Sequence, residues 1–125
     1  GPRLTLSSIF YLLTDDAPKG HWHLNQSDII HYYHGGSPIT YYLIQSDGEM
    51  KTTVLGHDLG AGQLLQLVVP GGTWKASHLS AGEYGLISEA VAPGFDFEDM
   101  TLGKKWELTE QFPQHAALIE RFTRD

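Results

Sequence analysis

The chain has 125 residues, a length that suits one domain built on one core. Apolar residues make up 41% of it, too many for a disordered chain, and the formal net charge of −7 argues against general affinity for nucleic acid or anionic lipid. There is no cysteine for a disulfide framework, no apolar run near the roughly 20 residues of a membrane span and no recognisable signal peptide, so a soluble cytoplasmic protein is expected. Gly1-Pro2 has the look of a cleaved tag remnant and is set aside.

Ile9 to Leu13 is a short aromatic and aliphatic run that stops at the turn-forming stretch Thr14 to Gly20. His21 to Leu24 reads as a short strand, and Asp28 to His34 as a strand rich in Ile and Tyr. Gly35-Gly36-Ser37-Pro38 breaks that strand. Ile39 to Gln45 and Met50 to Leu55 flank the hairpin turn Ser46-Asp47-Gly48-Glu49. Leu64 to Val69 is halted by Pro70-Gly71-Gly72, and Thr73 to Leu79 and Tyr84 to Val91 follow at similar spacing. About eight short strands so spaced predict a sandwich or barrel. Near the end, Ala116, Leu118, Ile119 and Phe122 recur at helical spacing, which predicts one short C-terminal helix over His115 to Thr123.

The densest polar cluster is His21, His23, Asp28, His31 and His34. Residues two apart share a face of a strand, so His21 and His23 point the same way. Two imidazoles and a nearby carboxylate form a divalent-metal donor set. The competing reading is of histidines on half-buried strand positions beside aromatics.

His21-X-His23, four residues, Asp28, six residues and Gly35 resembles the first signature of the cupin superfamily, with Asp28 where glutamate is usual and Asp15 where a glycine precedes the first histidine. Pro70-Gly71-Gly72-Thr73-Trp74-Lys75 resembles the second signature, with Lys75 where the last metal-binding histidine would stand. A protonated lysine has no lone pair for a metal. Over nearly the whole chain, the blocks Ile9 to Leu13, Trp22 to Leu24, Asp28 to Gly35, Val68 to Trp74, Val91 to Asp99 and Phe112 to His115 resemble the cupin_5-type family of unknown function. The chain departs from that family at Leu24, Ser27-Asp28 and Ile30. The family's N-terminal Pro-Glu-Gly-Gly segment has no counterpart. The resemblance implies an all-β fold, a cupin double-stranded β-helix or jelly-roll barrel of RmlC-like type, as a single domain over residues 1–125. It also implies a small-molecule cavity, and a homodimer as the assembly.

On that reading His23 or His31 is a general base oriented by Asp28, and a tyrosine, Tyr33 or Tyr42, is the acid. Lys75 points into the barrel, where it binds an anionic group or pairs with Glu89. Trp22, Trp74 and Tyr42 are candidates to contact a ligand. Each has a structural alternative: a histidine bonded to a carbonyl, a tyrosine or tryptophan that only packs, an aspartate in a turn. Three functions stay open. The first is a metal-independent isomerase, epimerase or lyase acting on a polar, sugar-like substrate. The second is a divalent-metal enzyme using His21, His23 and Asp28, and the third a non-catalytic binding or dimerisation module.

Overall fold

Residues 3–124 are described by a computed structural model; Gly1-Pro2, read above as a tag remnant, lies outside them. Among the described residues nine strands form two antiparallel sheets packed face to face. They are β1 (Ser7–Thr14), β2 (Lys19–Asn25), β3 (Ile29–Gly36), β4 (Ile39–Ile44), β5 (Met50–Leu55), β6 (Gln66–Val69), β7 (Trp74–His78), β8 (Tyr84–Val91) and β9 (Met100–Leu102). One sheet has the order β1-β8-β3-β6 and the other β5-β4-β7-β2-β9. All eight expected strands are present. The short edge strand β9, which covers the flank of β2, was not expected.

Period-two alternation decides which residues meet. In β8, Ile87, Glu89 and Val91 face inward, and in β3 Ile29, His31 and Tyr33 do so. Cα partners share a face, so His31 opposite Glu89, and His23 opposite Lys75, stand side by side on the inner surfaces. The inter-sheet core holds Leu13, Ile39, Leu43, Leu55, Leu79 and Ile87. Lys75 is buried within it, opposite Leu43 across β4 and β7.

The opposite parity makes a second core on the outer face of the five-stranded sheet. Trp22, Ile44, Ala76, Leu108, Phe112, Ile119 and Phe122 pack there, with Tyr42, Met50 and Trp74 against them. The cover is two short helices, α1 (Lys105–Gln111) and α2 (Ala116–Arg121), joined by a tight turn at Pro113. The expected C-terminal helix is present as α2, while α1 ahead of it was not expected; Pro113, which supplies no amide hydrogen, separates the two. Among the described residues nothing comparable covers the outer face of the other sheet, and Phe10, Leu12 and Val68 stand exposed on it. Among the described residues no helix is long and apolar enough to cross a membrane.

Two connections between the sheets are strapped together. The Gly71 amide donates to Asp28 Oδ1 (2.8 Å) and the Gly72 amide to the Asn25 carbonyl (2.9 Å). A Cβ on Gly71 would lie 2.0 Å from the Gln26 carbonyl oxygen, so only glycine allows this approach. The strap fixes β2, β3 and β7, the strands that carry His23, His31 and Lys75.

Candidate functional site

A cleft of about 620 Å3 opens between edge strand β1 of one sheet and the β2–β9 edge of the other. At its floor it meets a smaller chamber of about 40 Å3, room for no more than a few waters. Tyr11, His23 and Glu89 line both spaces and form the junction. His31, Tyr41, Lys75 and Ser77 lie behind them around the chamber.

The hydrogen bonds of this floor fix its proton positions. Lys75 Nζ lies 2.8 Å from His31 Nε2 and 3.5 Å from Glu89 Oε1. An ammonium only donates, so His31 Nε2 accepts and its hydrogen sits on Nδ1, which donates to the Tyr41 oxygen at 3.0 Å. Both ring nitrogens of His31 are thus engaged, and the residue is buried. Burial first, then the positive charge of Lys75 and neighbouring His23, lowers its pKa from 6.5 to about 2. His23 Nδ1 donates to the His21 carbonyl at 2.9 Å, which leaves Nε2 as a lone-pair acceptor. Burial and then Lys75 lower the His23 pKa to about 4, while the bond to His21 works in the other direction. Both histidines are neutral at pH 7.

Burial pulls the Lys75 pKa below the usual lysine value, and Glu89 opposes that shift by Coulomb attraction and hydrogen bonding. The Tyr11 phenol is pushed up by burial and then by Glu89, so it holds its proton at neutral pH. The junction therefore offers a free imidazole nitrogen and a protonated phenol beside a carboxylate whose partner is a buried lysine.

Several expected roles do not survive. Asp28 is exposed, and its carboxylate holds the Gly71 amide rather than orienting a histidine. The orienting acceptor for His23 is the backbone carbonyl of His21. The triad of His21, His23 and Asp28 is not assembled, and Arg124 Nε lies 3.3 Å from His21 Nδ1, where a cation would repel a metal ion. No group of three or more His, Asp or Glu side chains suited to a metal occurs among the described residues. This donor set does not fit a divalent ion. Tyr33 donates to the Gly36 carbonyl, packs edge-on against His57 and lines neither space, so it is not the acid. Tyr42 and Trp74 face the helices, away from the cleft. Trp22 is held by its indole nitrogen to the Leu118 carbonyl (3.1 Å) and contributes wall, not a free stacking face.

The structure does bring together His23, His31, Lys75 and Glu89. It adds Tyr11 and Tyr41, which sequence reasoning missed. Tyr11 had a signal: Ile9, Tyr11 and Leu13 share the inward parity of β1. Lys19, Lys104 and Arg124 at the mouth had none, since their meeting depends on topology alone.

Two sheets closing over a polar floor, with a cleft between their edges, define a cupin barrel. Residues 1–103 match the family Cupin_5, described as Cupin superfamily (DUF985), and the chain belongs to that family. An uncharacterized protein of Saccharomyces cerevisiae is 47% identical over 100 residues, 77% of this chain and 49% of that protein; the chain spans about half the length of the curated relative it matches. A protein of Shewanella oneidensis with a crystal structure is 35% identical with a TM-score of 0.92, covering 98% of this chain and 77% of that one. A dTDP sugar isomerase of Desulfovibrio desulfuricans shares the fold alone, at 10% identity and a TM-score of 0.67 over 83% of this chain and 67% of that one.

Proposed function

We propose that this cupin binds a small polar molecule in the cleft and moves a proton on it without a metal, as in isomerisation, epimerisation or elimination beside a carbonyl. The observation that carries this reading is the junction of Tyr11, His23 and Glu89, where the cleft meets the polar floor. His23 Nε2 takes the proton from carbon, and the Tyr11 phenol donates to the oxygen or carbon that gains charge. The enolate charge that develops raises the His23 pKa from its low resting value and holds the transferred proton there. Lys75 acts behind them. Its charge adds to burial, the larger cause, in keeping His23 free of a proton at rest, and it pairs with Glu89.

The test is solvent exchange. The protein is incubated in deuterated water with a panel of sugar phosphates and keto acids, and deuterium at the carbon beside the carbonyl is read by NMR. The reading expects exchange with at least one compound, abolished in His23→Gln and reduced in Tyr11→Phe. Binding with no exchange for any compound favours a non-catalytic module instead.

A homodimer through the uncovered sheet face belongs to the same proposal. Phe10 is 74% exposed and Leu12 55%, on a β-sheet face that no helix shields. Light scattering should give twice the chain mass, and Phe10→Glu should give a monomer. A monomeric parent would remove this part.

A further inference from the structure

The charge of the cleft runs against the charge of the chain. The sequence holds 8 Lys and Arg against 15 Asp and Glu, so an average lining would carry about two acids for each base. The cleft has the reverse: Lys19, Lys104 and Arg124 line it, and among the described residues Glu89 is the one carboxylate in its lining. Glu89 already faces the Lys75 ammonium, so among the described residues the three bases at the mouth have no anion in the lining to offset them. Two of the three are held in place. Lys19 donates to the Arg121 carbonyl (3.2 Å) and Arg124 to His21 Nδ1 (3.3 Å). Between mouth and floor the walls are apolar, from Ile29, Val91, Phe95, Met100 and Leu102.

We propose that the cleft is built for an amphiphilic anion, with a carboxylate, phosphate or sulfonate at Lys19, Lys104 and Arg124 and an apolar body against Ile29, Val91, Phe95 and Leu102. This rests on reading the cleft as a ligand site, and it narrows the substrate from a sugar-like polar molecule to an acidic one with a hydrophobic portion. Such a ligand offsets the mouth's charge, buries the exposed apolar wall and leaves its inner end at Tyr11 and His23. A volume of about 620 Å3 lies within the usual span of small-molecule sites.

Two probes with nearly the same ring system separate the contributions: 8-anilinonaphthalene-1-sulfonate, which is anionic, and N-phenyl-1-naphthylamine, which is neutral. Fluorescence titration should show the anion binding about tenfold more tightly at low salt, with the advantage shrinking as salt rises to about 0.3 M. The variant Lys19→Gln/Lys104→Gln/Arg124→Gln should bring the anion to within about twofold of the neutral probe and leave the neutral probe unchanged. Equal binding of both probes to the parent keeps the cleft as a ligand site and overturns the anion inference. So does an anion affinity that the triple variant leaves intact. If neither probe binds, the cleft reading falls together with the inference.

Discussion

Lowering the pH from about 7.5 to about 5 should cost this protein a large part of its stability, through His23 and His31. In the folded state their pKa values are lowered to about 4 and about 2, against 6.5 in a solvated chain. The unfolded chain therefore binds more protons than the folded one below pH 6.5. A lowered pKa gives stability that is complete above 6.5 and lost as the pH falls toward the folded value. At about pH 5 the unfolded histidines are almost fully charged, while the folded ones are still neutral. The loss is then about 2 kcal/mol for each histidine and about 4 kcal/mol together. That is a third or more of the stability of an ordinary domain. Urea unfolding followed by tryptophan fluorescence at the two pH values measures it directly. His23→Gln removes one of the two titrations, so its loss between those pH values should be smaller by about 2 kcal/mol. A parent whose unfolding free energy changes by less than about 1 kcal/mol would refute the reasoning, and so would a His23→Gln variant that keeps the full loss.

Three other outcomes follow from the same contacts. Gly71→Ala drives a methyl group into the Gln26 carbonyl and should destabilise by about 1–3 kcal/mol or more in urea unfolding. Asp28→Ala frees the Gly71 amide and should cost about 1 kcal/mol, while leaving binding of the anionic naphthalene probe unchanged, because the aspartate braces a turn and is not itself among the cleft-lining residues. Lys75→Met removes a positive charge that lowers the pKa of His23, so imidazole NMR should show His23 titrating at higher pH than in the parent, though still below 6.5 because burial remains.

The barrel was legible because strand alternation and turn residues carry it. Pro70-Gly71-Gly72 ended a strand where expected, and the run from Ile39 to Leu55 gave the β4–β5 hairpin. Placement of Lys75 inside followed from the signature, and Glu89, one of the two partners considered for it, lies 3.5 Å away. The same parity puts its neighbour Trp74 outside, under the helices, where it cannot stack on a ligand in the cleft. Asp28 misled because its spacing imitates a ligand, while its carboxylate is consumed by a backbone amide 43 residues away. That partner depends on how two inter-sheet connections cross. Lys19 and Arg124 could not be paired from sequence for a similar reason: the register of β2 and the fold-back of the C-terminal helices bring them to one cleft. The β2 bulge between Gly20 and His23 is also invisible in composition, yet it decides which of His21, Trp22 and His23 face which core.

Metal content tests the central claim most directly. Lys75 places a positive charge 2.8 Å from His31 Nε2 and 3.5 Å from Glu89 Oε1, so the floor already contains the cation its acceptors need. Untagged protein is incubated in turn with iron(II), manganese, nickel and zinc, dialysed and analysed by plasma mass spectrometry beside His23→Ala. The account predicts no ion above background in either protein. Near-stoichiometric metal in the parent, lost in His23→Ala, would contradict it and make the site that of a metalloenzyme.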